Sequence, residues 1–191
     1  MKQENITYGS DKELVAGVLG GDSQAFAQII RQTEGLVAQM VYTMAGPSAE
    51  RKDLVQDIYM KAYQNLPGFR FHAKLSTWVG QIAYHTCLHY LKRKKLYYPD
   101  EFPEEEVAIG ELSANEIFLF DKELSGILQS AIARLPPLYQ TLVSLFHQEE
   151  LSYQEIREIT GLPEGTVKNY LFRARKALRQ DLLKRYDKNE L

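Results

Sequence analysis

The sequence predicts an all-α protein with an N-terminal helical bundle and a C-terminal helix-turn-helix bundle, two helical domains joined by an acidic flexible linker. Apolar residues recur at helical spacing in several long segments, and no alternating run typical of a β-strand competes with them. Charge also divides the chain. Residues 51–95 hold nine Lys and Arg against two Asp, residues 99–123 nine Asp and Glu against one Lys, and residues 164–185 seven Lys and Arg against two acids.

The N-terminal domain is predicted to span residues 10–96 and to contain three main helices. Asp22 or Ser23 can cap the first of them, because the side-chain oxygens of Asp and Ser accept hydrogen bonds from the first free backbone amides. Pro47 marks the start of the second helix, and the segment LPG ends it. Ser76 or Thr77 is predicted to cap the third helix, whose last turn is rich in cations.

A linker and four short helices are predicted to follow. Residues 97–112 contain two prolines and many acids without a clear period, which is typical of a linker. The C-terminal domain is predicted to span residues 113–187, with Pro137 in the first turn of one helix. Two S-x-x-E patterns predict capping boxes at helix starts, Ser113 with Glu116 and Ser152 with Glu155.

Composition excludes several classes of protein. The chain has 191 residues, of which 45% are hydrophobic, and no apolar run reaches the ~20 residues that a membrane-spanning helix needs. The N-terminus lacks the apolar core of a signal peptide, so we expect a cytoplasmic protein without membrane insertion. The single cysteine, Cys87, excludes an intrachain disulfide.

No catalytic or metal-binding pattern is present in the sequence. There is no phosphate-binding Gly-rich loop and no nucleophile with an adjacent base, so we expect neither an enzyme nor a bound cofactor. His85 and His89 share a helix face, but Cys87 points away from them, and two ligands do not make a zinc site.

The segment LSYQEIREITGLPEGTVKNYLFRARKALRQ (151–180) has the layout of a helix-turn-helix. Residues 152–160 form the first predicted helix, Gly161-Leu162-Pro163 the turn, and residues 164–185 the second helix. Asn, Lys and Arg are side chains that contact base edges or phosphates. The predicted exposed side of the second helix carries Lys168, Asn169, Phe172, Arg173 and Lys176. The alternative is that these cations only keep the surface of a C-terminal helix in contact with water and complement the helix dipole.

Both ends of the chain resemble one family. The helix-turn-helix segment resembles the DNA-binding end of bacterial RNA polymerase sigma factors of the extracytoplasmic-function (ECF) group. The segment DLVQDIYMKAYQNLPGFRFHAKLSTWVGQIAYHTCLHYLKRKK (53–95) is similar to their other conserved domain. The likeness extends from about residue 11 to about residue 185. It implies a protein that binds RNA polymerase core and directs promoter-specific initiation by recognising duplex −35 and melted −10 DNA.

The resemblance also implies roles for particular residues. Asp53, Gln56 and Asp57 match the helix that family members press against the clamp helices of the largest polymerase subunit. The segment LPGFRFHAKLSTW matches a loop that captures a base flipped from the −10 strand, a task that suits aromatic rings and cations. The implied −10 contacts are Phe69, Arg70, Phe71, Lys74, Trp78, His85, His89, Lys92 and Arg93.

At the C-terminal end, Lys168, Asn169, Phe172 and Arg173 match positions that reach the −35 element. Membership of the group further implies an anti-sigma factor as a partner, which would cover the polymerase-binding or DNA-binding surfaces.

The sequence departs from the family pattern at four positions. Family members usually have Asn at His85, Ala at Arg157 and a large aliphatic residue at Thr160, and Glu164 adds a negative charge near the DNA. A buried Arg is costly. We therefore expect either that the Arg157 side chain extends to solvent or that the two helices pack less closely.

Several alternatives stay open on the sequence alone. Tyr97 and Tyr98 either contact nucleic acid or belong to the core. The acidic segment is either a solvated spacer or a DNA mimic that covers a basic face. The whole chain could also be a stand-alone helix-turn-helix regulator, which would bind a palindromic duplex without polymerase, or an interaction protein that has lost promoter function.

Overall fold

The computed structural model describes residues 9–94 and 122–185, and within these ranges it consists of helices and loops without a strand. The all-α prediction is therefore confirmed. The predicted linker, Tyr97, Tyr98 and the Ser113/Glu116 box lie outside the described residues. The helices are α1 (Asp11–Leu19), α2 (Ser23–Ala45), α3 (Arg51–Asn65), α4 (Leu75–Arg93), α5 (Lys122–Ile132), α6 (Pro137–His147), α7 (Tyr153–Thr160) and α8 (Glu164–Arg185), with a single 3₁₀ turn at Leu66–Gly68.

The first four helices form a bundle around α2, which packs against α1, α3 and α4. Apolar residues at helical spacing place one face of each helix in the shared core. Burying such side chains contributes about 1.5–3 kcal/mol each relative to leaving them in water. The largest fully buried side chains of this bundle are Leu14, Ile29, Val37, Met40, Ile58, Leu66 and Leu75.

The structure agrees with the predicted cap of α2 but not with that of α4. Asp22 caps α2 as predicted, since its Oδ1 accepts a hydrogen bond from the backbone N of Gln24 at 2.8 Å. The predicted cap of α4 at Ser76 or Thr77 is wrong, because α4 already begins at Leu75. The backbone N of Leu75 donates to Oδ2 of Asp11 at 2.8 Å. The start of α4 is thus satisfied by a side chain from α1.

The last four helices form a second pack in which α8 contacts α5, α6 and α7. Pro137 begins α6 as predicted. Ser152 and Glu155 form the predicted capping box at the start of α7. Gly161 ends α7 with a left-handed backbone at φ 73°, a conformation that glycine adopts at little steric cost.

The two packs contact each other through α4 with α7 and through α2 with α6. Gly80 on α4 faces Ile159 of α7, and a Cβ at this glycine would lie 3.2 Å from Cδ1 of that isoleucine. Polar pairs bridge α2 to the other pack, with Gln39 Nε2 donating to Gln148 Oε1 at 2.9 Å and the hydroxyls of Thr43 and Thr141 3.2 Å apart. Buried residues of both packs therefore form one continuous core.

Candidate nucleic-acid interface

The loop between α3 and α4 carries a cluster of three aromatic rings. The ring centroid of Phe69 lies 4.7 Å from that of Phe71 and 5.1 Å from that of Trp78. Phe69 is only 7% exposed, whereas Phe71 is 42% exposed. The Phe71 ring therefore packs on Phe69, which in turn packs on the partly buried Trp78, and Phe71 is the ring that faces solvent.

Phe71 also has an unusual backbone conformation, with φ at +57°. A bulky residue in the left-handed region costs free energy, and such strain is concentrated at functional sites. Arg70 and His72, on either side of it, are exposed. The loop therefore presents one aromatic ring beside a cation, the combination that binds unpaired bases.

Lys74, at the end of this loop, is bound to the helix-turn-helix. Its Nζ donates to Oε1 of Glu155 at 2.8 Å, although the Lys74 side chain itself is largely exposed. Glu155 also accepts hydrogen bonds from the backbone N and the hydroxyl of Ser152, at 3.0 and 2.8 Å. Lys74 and then Ser152 lower the pKa of Glu155 to about 2. A predicted −10 contact is thus engaged by α7 in this conformation.

One face of α4 continues from the aromatic loop as a stripe of polar and basic side chains. Trp78, His85, His89 and Lys92 are spaced seven, four and three residues apart, which places them on the same side of the helix. The two histidines, Lys92 and Arg93 are exposed. An open groove of about 360 Å³ runs between this stripe and α3, with Lys61 and Asn65 on its α3 side. The predicted −10 residues of α4 therefore line this groove or continue its stripe, whereas Phe69 is buried beneath Phe71.

Cys87 lies in the core on the other side of α4 from the two histidines. Burial raises the pKa of its thiol to about 12, so the reactive thiolate is scarce near neutral pH. In the part of the chain that the structure describes, no three His, Cys, Asp or Glu side chains come together as metal ligands.

The predicted polymerase-binding residues lie on the outer face of α3. Asp53 and Gln56 are exposed, while Asp57 forms an ion pair with Lys61 at 2.7 Å. Met60 and Tyr63 lie on the same face with exposed fractions of 52% and 53%. The sequence-based prediction of this surface did not include these two residues, which lie about 160° and 140° around the helix from the buried Ile58. They extend the predicted surface with apolar area.

The helix pair of residues 152–185 packs through the small core that its apolar pattern predicts. Ile156, Ile159, Val167 and Leu171 are all fully buried. Arg157 is exposed. Of the two expectations for this residue, the structure therefore shows the one in which the side chain extends to solvent.

Thr160 is buried at the end of α7. Where family members usually have a large aliphatic side chain, its hydroxyl forms hydrogen bonds instead. Its hydroxyl donates to the carbonyl of Ile156 at 2.7 Å and accepts from the backbone N of Leu162 at 3.2 Å. A buried hydroxyl that is satisfied on both sides carries little desolvation cost. Thr160 therefore stabilises the turn between α7 and α8.

The predicted −35 residues lie on the side of α8 away from its buried stripe, but their exposure differs. Lys168 and Lys176 are exposed, while Asn169, Phe172 and Arg173 are half-buried. Asn169 and Lys176 point most directly away from the core, given 100° per residue, and Phe172 and Arg173 lie on either side of them. The structure therefore places the predicted set on one surface, with Lys168 at its edge.

Local partners reduce the freedom of two of these cations. Glu164 forms an ion pair with Lys168 at 2.7 Å. Lys168 lowers the pKa of Glu164, and Glu164 raises the pKa of Lys168, so both side chains are held in their charged forms. Burial raises the pKa of Tyr139 in α6, and the guanidinium of Arg173 acts in the opposite direction. Arg173 is therefore held against α6 at the same time as it lines the surface of α8.

Two family models match these two surfaces. A model of sigma-70 region 2 matches residues 29–97, and a model of sigma-70 region 4 matches residues 125–178. The chain is 34% identical over 182 residues to the ECF RNA polymerase sigma factor SigW of Bacillus subtilis, with 90% of this chain and 96% of that protein aligned. The chain belongs to the ECF group of RNA polymerase sigma factors.

Further relatives agree with this assignment. The ECF RNA polymerase sigma-E factor of Escherichia coli K12 is 33% identical to this sigma factor over 177 residues, which cover 88% of this chain and 92% of that protein. As a member of the family, the chain binds RNA polymerase core and directs promoter-specific initiation by recognising duplex −35 and melted −10 DNA.

Solved structures share the fold. CnrH, in complex with the cytosolic domain of CnrY, aligns with a TM-score of 0.65 at 20% identity, over 92% of this chain and 99% of that one. The sigma factor RpoE, in complex with the anti-sigma factor NepR from Bartonella quintana, aligns with a TM-score of 0.59 at 24% identity, over 84% and 97%. Among the described helices, none is both long and apolar enough to cross a membrane.

Proposed function

We propose that the two ends of this sigma factor divide promoter recognition between them. Residues 10–96 bind polymerase core and the melted −10 element, residues 97–112 connect the two domains, and residues 113–187 bind the −35 element. The observation that carries this proposal is the exposed ring of Phe71, which packs on the buried ring of Phe69 close to the basic stripe of α4. A site of this kind has little use in a protein that binds only duplex DNA.

At the −10 element, the Phe71 ring stacks on a flipped base, and Phe69 and Trp78 support it from below. Stacking of a base on an aromatic side chain contributes about 1–3 kcal/mol. The cations follow the phosphates of the melted strand, and His85 and His89 line the groove beside them. The residues assigned to this task are Phe69, Arg70, Phe71, Lys74, Trp78, His85, His89, Lys92 and Arg93.

At the −35 element, α8 enters the major groove with its outer side. Asn169 is suited to adenine, because its amide matches the donor and acceptor that adenine presents in that groove. Arg173 is suited to guanine for the same reason, while Phe172 supplies apolar contact. Lys168 and Lys176 contact phosphates on the two sides of the helix.

Polymerase core binds the outer face of α3 through Asp53, Gln56 and Asp57. Met60 and Tyr63 supply apolar area at the same surface, as the centres of protein interfaces require. We further propose that the chain catalyses no reaction and acts in the cytoplasm, where polymerase and chromosomal DNA are found.

We also infer that an anti-sigma factor binds this chain, which the solved complex of RpoE with NepR supports. Such a partner would compete with polymerase for the face of α3. A candidate partner that forms a complex with this chain should therefore abolish its binding to core in a competition assay, and simultaneous binding of both would refute the inference.

Reconstitution with core polymerase tests the division of tasks. Promoters are first identified by sequencing transcripts after overexpression, and run-off transcription then measures initiation from one of them. Phe71→Ala should block melting but keep −35 binding, Asn169→Ala should relax −35 sequence preference, and Asp53→Ala with Gln56→Ala should weaken core binding. Leu19→Ala removes an exposed apolar side chain elsewhere and should change none of these. If Phe71→Ala melts the promoter normally, the −10 assignment fails.

A further inference from the structure

Four side chains from three helices form a column on one flank of the helix-turn-helix. The rings of Phe146 and Tyr153 are stacked, with centroids 4.9 Å apart and planes 21° from parallel. Lys168 Nζ lies 5.2 Å from the Tyr153 centroid, and the guanidinium carbon of Arg175 lies 5.3 Å from the Phe146 centroid. The column therefore begins and ends with a cation from α8, and α7 and α6 contribute the rings between them.

The two cations lie on the same flank of α8. Lys168 and Arg175 are seven residues apart, which corresponds to about 10 Å along the helix and about 20° around it. Both lie roughly a quarter turn from the outward side that carries Asn169. When the outward side of a helix faces base edges, its flank faces the phosphates that border the groove.

The positive charge of Arg175 is not neutralised by a carboxylate in the described residues. Its contacts are the Phe146 ring and Nε2 of His147, which lies 3.4 Å from its Nη2. Burial, and then the nearby Arg175 charge, lower the pKa of His147, which keeps that imidazole neutral. Lys168, by contrast, is paired with Glu164. Arg175 is therefore the cation of the column whose charge is available to an anion.

Ring contacts restrict a guanidinium without cancelling its charge. A cation over a ring face is attracted by the negative face of the ring, and an ordered side chain loses less entropy when it binds. Because the rings come from α6 and α7, they also fix the position of Arg175 relative to the rest of the helix-turn-helix.

We propose that Arg175 is a phosphate contact of the −35 duplex and that the stacked rings of Phe146 and Tyr153 are positioning residues for it. The inference rests on the proposed −35 function and extends it to a cation outside the predicted reading face. Arg175 then contributes to affinity on any sequence, whereas Asn169 contributes to the choice of sequence.

The salt dependence of binding tests the proposal on the holoenzyme with promoter DNA. Arg175→Gln should weaken binding by a similar factor on a promoter with an intact −35 element and on one with a scrambled element. It should also reduce the slope of log K against log salt concentration by about 1. Arg175→Lys should restore that slope, because it keeps the charge. If Arg175→Gln melts thermally like the wild type and keeps the wild-type slope, the proposal is overturned.

The positioning role has its own readout. Phe146→Leu should weaken binding several-fold, and Phe146→Tyr, which keeps a ring face, should recover wild-type affinity. Equal affinity of Phe146→Leu and wild type would overturn this part. Asn169→Ala separates the proposal from the function on which it rests: it should lose discrimination between intact and scrambled elements without a change in slope. If discrimination survives in Asn169→Ala while Arg175→Gln behaves as expected, the reading face is misplaced but the phosphate contact stands.

Discussion

Two phenylalanines in the loop before α4 have different tasks although they are two residues apart. Phe69 is 7% exposed and Phe71 is 42% exposed. Phe69→Ala removes a buried ring, so it should lower the free energy of unfolding by about 3–5 kcal/mol. Phe71→Ala should change that free energy by less than about 1 kcal/mol, because surface substitutions have small effects, yet it should abolish promoter melting. Urea unfolding measures the first quantity, and 2-aminopurine fluorescence at the −10 element measures the second.

The left-handed backbone of Phe71 supplies the control. Glycine adopts φ near +57° without strain, so Phe71→Gly should be at least as stable as Phe71→Ala while lacking the ring equally. Both variants should fail to melt the promoter. A Phe71→Gly protein that forms open complexes would mean that the loop conformation, rather than the ring, captures the base.

Gly80 is the point at which α2, α4 and α7 meet. A Cβ there would lie 3.1 Å from Cδ2 of Leu36 and 3.2 Å from Cδ1 of Ile159. Gly80→Val adds three carbons with a stiff branch, so we expect it to destabilise the protein by about 1–3 kcal/mol, as overpacking does. The same change should speed amide hydrogen exchange in α7. Urea unfolding and exchange mass spectrometry measure the two effects.

Gly35 is the matched control for this substitution. It lies inside α2, and a Cβ there would meet nothing within 4 Å. Gly35→Ala should therefore stabilise the protein by about 0.5–1 kcal/mol through helix propensity alone. If Gly80→Ala stabilises by the same amount and Gly80→Val has no cost, the contact between α4 and α7 is looser than its distances indicate.

Local signals predict seven of the eight described helices, with α1 unpredicted, and they predict the packing between helices poorly. The caps by Asp22 and by the Ser152/Glu155 pair follow from neighbouring residues, and both are present. The start of α4 is different, because Asp11 satisfies it from 64 residues away. No local pattern encodes such a partner. The contact of α4 with α7 was missed for the same reason.

In the candidate site, too, local features can be predicted from the sequence and tertiary contacts cannot. The family resemblance predicts the aromatic loop and the face of α4, while residue types and spacing predict the outward side of α8, and these site assignments stay predictions. The sequence does not reveal that Phe69 is buried beneath Phe71, or that Arg175 lies over Phe146, since both depend on tertiary contacts. Arg157, which is unusual for its position, is exposed because its side chain turns away from the α7–α8 contact.

The ion pair of Lys74 with Glu155 connects the two packs and should make their association depend on pH. The pKa of Glu155 falls to about 2 in the folded chain, below the value near 4.3 of an unfolded Glu. The folded state thus favours the carboxylate. Its stabilising effect is complete above about pH 5 and is lost as the pH falls from about 4.5 towards 2. Glu155→Gln should therefore lower stability at pH 7 and flatten the urea-midpoint profile over this interval.

The Lys74→Met variant distinguishes the effect of the contact between the packs on the pKa of Glu155 from the effect of the cap of α7. It removes the ion pair but leaves the Ser152 hydrogen bonds to Glu155, so it should flatten the same profile only in part. A Lys74→Met profile that coincides with the wild type would mean that the pKa of Glu155 is set within α7 alone.

The compact arrangement of the two packs is too small to span the distance between the two promoter elements. The −35 and −10 elements are about 25 base pairs apart, which is about 85 Å of duplex. A compact chain of this length has a diameter of only about 40 Å. Binding both elements at once therefore requires α4 to separate from α7.

Spin labels on the two packs can follow this separation. Lys12→Cys in α1 and Gln180→Cys in α8 are exposed and lie outside the proposed contact residues. Cys87 needs no replacement, because its buried thiol has a pKa of about 12 and reacts slowly with the label. The free chain should give one narrow distance, and binding to core polymerase should lengthen it by tens of ångströms. Glu155→Gln should broaden the free-chain distribution without polymerase. An unchanged distance in the holoenzyme would show that the α4–α7 contact persists there and that the two elements are not bound together.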